Sequence, residues 1–132
     1  MRHDPGHAYE AGAKTAVTNR ELEATALFKA ARKLEACMQN WGAADHANQL
    51  DEALRYNLRL WTLFQCELAQ PGHEMVPELR RDLLRLSGFV DKRTFEIMAD
   101  PEPAKLQALI DIDRNIAMGL SAPSTHTASA NG

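Results

Sequence analysis

The chain has 132 residues, 45% hydrophobic and 25% charged, with a net charge of −3. That is enough for one domain and not comfortably two, with a core that needs neither metal nor disulfide staples. The negative balance weighs against nucleic-acid binding driven by charge, which generally uses a basic protein. Aromatic residues make up only 6%, which favours an aliphatic helical interior over a β-sandwich.

The N-terminal stretch MRHDPGHAYEAG is polar and lacks the apolar segment of a secretory signal. Residues 1–17 contain Pro5, Gly6 and Gly12 and keep no sustained period, so they read as a loose arm on which Tyr9 and Val17 can dock. Thr18 and Glu21 have the spacing of a capping box, which starts helix 1 at about residue 19. Its apolar stripe is Leu22, Ala26 or Leu27, Ala30, Leu34, Cys37 or Met38, and Trp41. Gly42 follows as a natural C-cap, because glycine adopts a positive φ without steric cost.

Helix 2 is expected at about 47–69, capped by Asp45 or Asn48, with Asp51 and Arg55 four apart and able to pair. Leu50, Leu54, Leu58, Trp61, Phe64 and Leu68 fall in steps of three and four on one side. Leu60 and Leu63 widen the stripe beyond what one partner helix covers. The stretch Leu60–Cys66 is the most apolar in the chain, yet far shorter than the ~20 residues of a membrane span. Pro71-Gly72 breaks the chain, and Pro77 suits the first position of helix 3. Leu79, Leu83, Leu86, Val90 and Ile97 give the inner stripe of helix 3, and Phe89, Phe95 and Met98 broaden it. Gly88 sits mid-helix, where close approach of a neighbour would offset its cost. Asp100-Pro101-Glu102-Pro103 separates helix 3 from helix 4, expected at about 103–118. Leu106, Leu109 or Ile110, Ile116 and Leu120 form the inner face of helix 4, with Ile112 off it. Residues 121–132 are small and polar and read as a disordered tail. The expected fold is all-α: a small antiparallel bundle of four helices over residues 18–120 with flexible ends.

Candidate chemistry is sparse. If helices 1 and 2 run antiparallel, Cys37 and Cys66 differ by roughly 20 Å along the axis, which precludes a disulfide and a shared zinc site. Both thiols then read as small core hydrophobes in a reducing cytosol. His3 and His7 are separated by Pro5 and Gly6, and His126 lies in the tail. Asp111 and Asp113 lie two apart and point to nearly opposite sides of a helix, which defeats shared acid–base work. No nucleophile elbow, phosphate loop or HExxH spacing occurs, so neither enzyme activity nor cofactor nor metal is expected. Arg55, Arg59, Arg80, Arg81 and Arg85 read as solvated outer faces, with a small RNA-contact patch as the alternative.

Three stretches carry a resemblance: EALRYNLRLW (52–61), VPELRRDLLRLSGFVDKRT (76–94) and LIDIDRNIAMGL (109–120). Ala53, Leu54, Asn57, Arg59, Leu60 and Trp61 in the first, Pro77, Leu79, Arg80, Leu86, Ser87, Phe89 and Val90 in the second, and Leu109, Ile110, Asp111, Ile112, Arg114, Gly119 and Leu120 in the third are similar to the flagellar biosynthesis regulator family FlaF. Tyr9 and the Arg-Glu-Leu-Glu opening of helix 1 extend the likeness to about residues 9–120. The chain departs from the pattern at Val76 (commonly Leu), Phe89 (commonly Trp) and Asp113 (commonly Asn).

The resemblance implies a cytoplasmic, non-enzymatic protein needed for flagellin production and filament assembly. The first expectation is a flagellin-binding chaperone or adaptor, with Trp61, Phe64 and Phe89 as anchors on the surplus apolar surface and Ile112 as a weaker one. An RNA-binding regulator of flagellin message is the second, and a protein acting only through the regulator FlbT the third. No membrane partner is expected.

Overall fold

The computed structural model describes the backbone of residues 5–70 and 75–122, with side chains described from Arg20 onward. Four helices occupy these residues: α1 (Pro5–Gln39), α2 (His46–Ala69), α3 (Pro77–Ala99) and α4 (Leu106–Ser121). A single turn of 3-10 helix, Pro103–Lys105, leads into α4. No strand is present among the described residues, and none of the described helices is long and apolar enough to cross a membrane.

The element boundaries follow local chemistry, with one correction. Helix α1 starts at Pro5, not near residue 19, and its backbone runs unbroken through Thr18, so no helix begins there. The stretch expected as a loose arm is rich in Ala, the best helix former, and Pro5 sits where a missing N–H costs nothing. Gly42 ends the turn after α1 with φ 94, the only described residue with a positive φ, as its place in the sequence predicts. Asp45 precedes α2 without a side-chain cap bond; its carboxylate accepts instead from Gln49 Nε2 at 2.9 Å. Pro77 opens α3 and Glu78 lies in its first turn. The tail over 123–132, the Pro71-Gly72 break, His3, His126 and the side chains of Tyr9 and Val17 lie outside the described residues.

Polar pairs fix how the helices lie. Lys33 meets Glu52 at 3.2 Å, while Glu23, earlier in α1, meets Glu67, later in α2, so α2 runs back along α1. Gln65 donates to Asp91 at 2.9 Å and Arg80 to the Leu68 carbonyl, which turns α3 back along α2. Helix α4 returns to α1, where Arg114 donates to Glu35 at 2.6 Å. Its pairing with α1 is the most extensive in the molecule, whereas α3 touches α4 only slightly.

The core gathers Leu27, Leu34, Leu54, Trp61, Val90, Ile97, Leu106, Leu109 and Ile110, all within 2% of full burial. Several expected stripes rotate. Leu22 is exposed, because five residues before Leu27 places it well round the helix from the buried row Ala24, Leu27, Ala31 and Leu34. On α2 the stripe passes through Asn57 instead of Leu58. On α3 the buried row is Ser87, Val90, Thr94 and Ile97, so Leu79, Phe89, Phe95 and Met98 are exposed and do not broaden an inner face. Ser87 and Thr94 tolerate burial because each hydroxyl donates to a carbonyl of its own helix, Leu84 and Val90, at 2.7 Å. On α4 the row is Leu106, Leu109, Ile110, Asp113 and Ala117. Ile112, expected off this face, is half-buried against the core.

Candidate functional site

The sequence places a polar cluster in the interior of the bundle. Asn57 lies three residues after Leu54 and four before Trp61, so helix periodicity drives it inward with them. Asp113 takes the same position on α4, three residues after Ile110 and four before Ala117. Both are completely buried. Trp61 Nε1–H donates to Asp113 Oδ1 at 2.8 Å. The amide orientation that satisfies the cluster turns the Asn57 nitrogen toward Asp113, donating to Oδ2 at 2.6 Å and Oδ1 at 3.2 Å. Burial pushes the Asp113 carboxyl up to about 7, and the Trp61 N–H pulls the other way. The Asn57 amide accommodates either state: its nitrogen donates to a carboxylate, and its oxygen can accept from a carboxylic acid.

Trp61 links this cluster to a concavity of the fold. A groove of about 820 Å³ opens between the first half of α3 and the second half of α4, where the two helices are apart. Leu79 and Leu83 line one wall and Ile116 and Leu120 the other; Trp61 and Leu68 form the floor. Phe64 stands edge-on to Trp61, with ring centroids 5.5 Å apart. The α1 side of the rim carries Arg20 and Glu23, and α2 adds Glu67. The Glu23 and Glu67 carboxyls are in hydrogen-bond contact; burial, then repulsion from Glu67, pushes Glu23 up to about 7, against the pull of Arg20. Such a pair is most stable sharing one proton.

The residues expected as anchors do not form one patch. Trp61 is only 1% exposed and serves as buried floor. Phe64 is half-buried and lines the groove. Phe89, 37% exposed, stands outside the groove beneath the Arg93 guanidinium at 5.2 Å. Ile112 packs into the core and does not line the groove. Leu79, Leu83, Ile116 and Leu120 line the walls instead.

Cys37 is buried, with its thiol pushed up chiefly by burial, while Cys66 is exposed and is not the core hydrophobe expected. Asp111 is exposed, accepting from Gln107 Nε2 at 2.9 Å, so the two acids of helix 4 do face opposite ways. Among the described residues no three His, Cys, Asp or Glu side chains gather as metal ligands would. Arg55, Arg59, Arg81 and Arg85 are exposed, whereas Arg80 is tied to α2 through Leu68.

Comparison with known proteins gives one match. Neither a curated protein nor a solved structure matches the chain. The family model described as flagellar protein FlaF matches residues 5–120, which takes in all four helices, the groove and the buried cluster. The chain therefore belongs to the FlaF family of flagellar proteins.

Proposed function

We propose that this flagellar protein is a cytoplasmic flagellin-binding chaperone or adaptor, needed for flagellin synthesis, export and filament assembly, and that it acts by binding and not by catalysis. The groove between α3 and α4 carries this reading. Its apolar walls and floor stand open beside a well-packed core, the arrangement that receives one face of an amphipathic helix. Leu79 is 49% exposed there, a cost in water that a partner segment would relieve. The terminal segments of flagellin are amphipathic and need shelter before assembly, so they suit such a groove. FlbT remains the second candidate partner, by way of exposed residues outside the groove such as Phe95 and Leu63.

The test is co-purification of this chain with flagellin, followed by titration of the two proteins. Leu79→Asp places a charge in the groove wall at an exposed position, so it should abolish the complex while leaving the helical signal and melting temperature nearly unchanged. Trp61→Ala is a poor probe, because it empties the core as well as the groove floor. No complex between folded, concentrated partners would refute the reading. Capture of FlbT but never of flagellin would transfer the function to FlbT.

A further inference from the structure

We propose that the outer face of α3 is a second docking surface, and that it takes an amphipathic helix with acidic flanks. This face points away from the groove and does not depend on what fills it: Leu83, on the groove wall, lies seven residues before buried Val90 and so shares the inner side of α3. Gly88 is the observation that asks for a partner. A glycine inside a helix costs about 1 kcal/mol relative to Ala, and a close neighbour within the chain would explain it. No such neighbour is present, since Gly88 is exposed and a Cβ built there meets nothing within 4 Å. Its φ is not positive, so the backbone does not require glycine either. A helix of another chain crossing at Gly88 supplies the reason, because without a Cβ the two backbones approach closely.

The residues around Gly88 fit that use. Arg81 and Phe95 stand seven residues before and after it, and Leu84 and Lys92 four before and after, so all share its face with Arg85. Phe95 is 55% exposed and Leu84 half-buried, which gives an apolar strip on either side of the glycine. Arg81, Arg85 and Lys92 are exposed and make no ion pair among the described residues. The one acid on this face, Asp91, already accepts from Gln65. The face is therefore basic on a chain whose net charge is −3. Its complement is a helix whose apolar residues bear on Leu84 and Phe95 and whose carboxylates meet the three cations. Nucleic acid fits less well: a phosphate backbone gains nothing from a glycine beneath it, Leu84 offers it no polar partner, and Asp91 repels it.

The experiment is fluorescence anisotropy of a labelled helical peptide titrated with the full chain at low and high salt. The peptide repeats leucine in steps of three and four and carries glutamate on both flanks; a second peptide has lysine at every glutamate. Wild type and Leu79→Asp should bind the acidic peptide equally, since the groove plays no part, and the lysine peptide much more weakly. Affinity for the acidic peptide should fall as salt rises. Gly88→Leu should bind it roughly tenfold more weakly, because of the bulk placed at the crossing point. That variant should stay folded, since its side chain enters open space and leucine is the better helix former. Arg85→Glu should weaken binding in the same direction. The inference is overturned if the acidic peptide fails to bind at low salt, if Gly88→Leu binds like wild type, or if Leu79→Asp abolishes binding, which would put the peptide in the groove. A single-stranded RNA that binds wild type and is lost in Arg85→Glu, where the acidic peptide does not bind, would give the face to nucleic acid and overturn it also. The comparison of the two peptides and the salt response need no variant, so the test survives a substitution that fails to fold. Gly88→Leu should bind flagellin as wild type does, which keeps failure here distinct from failure of the groove reading.

Discussion

Asp113→Asn is the most informative single change. It removes a buried ionisable group while keeping the atoms that hydrogen-bond: the introduced amide can still accept from Trp61 Nε1 and can donate to the Asn57 oxygen. In the wild type the carboxyl titrates at about 7 when folded, against 3.8 for the ordinary side chain. The folded state therefore holds its proton more tightly than the unfolded chain does. The contribution of Asp113 to stability is fully present below pH 4, declines as pH rises, and is lost above pH 7. The full difference corresponds to about 4 kcal/mol, of which about 3 kcal/mol falls between pH 5 and pH 8. Urea unfolding of both proteins across that range isolates the effect, because Glu23, whose carboxyl is raised in the same direction, is common to both. The variant should be more stable than wild type at pH 8, with the advantage shrinking toward pH 5. At pH 8 its melting temperature should rise by roughly 10 °C, given about 2–4 °C per kcal/mol for chains somewhat longer than this one. Parallel stability curves for the two proteins would show that Asp113 stays ionised throughout, held by Trp61 and Asn57, and the argument from burial would fail.

Three other changes follow from single observations. Gly88→Ala should stabilise by about 0.5–1 kcal/mol in the same unfolding assay, because a Cβ there meets nothing within 4 Å and Ala is the better helix former. Gly42→Ala should destabilise by about 1 kcal/mol despite equally open surroundings, since its φ of 94 suits glycine alone. Trp61→Phe removes the indole N–H and leaves Asp113 Oδ1 one donor short, so it should lose about 1–3 kcal/mol beyond the packing change. Much of that extra loss should vanish when Trp61→Phe is combined with Asp113→Ala, which removes the acceptor itself, and a double-mutant cycle reads this directly.

Helix number and most boundaries were legible because Pro77, Gly42 and the Asp100–Pro103 run act through the backbone alone, whatever surrounds them. The start of α1 is not legible in the same way, because its glycines and proline point to an arm whereas the alanines between them favour helix. The stripes were legible only in part, since counting apolar residues assumes that the inner face holds nothing else. Asn57, Ser87, Thr94 and Asp113 break that assumption. Each lies at core spacing, and each finds its partner either on its own helix or across the bundle, a fact that periodicity does not encode. Of the groove, Phe64 and Trp61 could be found from the surplus on α2. The walls depend on α3 and α4 standing apart, which follows from their packing on different partners and from no motif in either helix.

That divergence ties the buried cluster to the groove. Because α3 packs on α2 and α4 on α1, a side chain of α2 that reaches α4 joins the two pairs, and Trp61 does so through Asp113. An indole at the floor of an open groove would ordinarily be free to change rotamer once a neighbour moved. Here its N–H is held at 2.8 Å by a buried carboxyl, whose other oxygen is held by Asn57 on the same helix as the indole. Turning the ring would strand Asp113 with an unmet acceptor in the core, a penalty of about 1–3 kcal/mol. The floor is thus rigid through polar bonds and not through cover from above. Rigidity at the floor, with walls supplied by two helices that scarcely touch, confines any adjustment on docking to the walls, where Leu79, Leu83, Ile116 and Leu120 can repack around a guest without disturbing the core beneath.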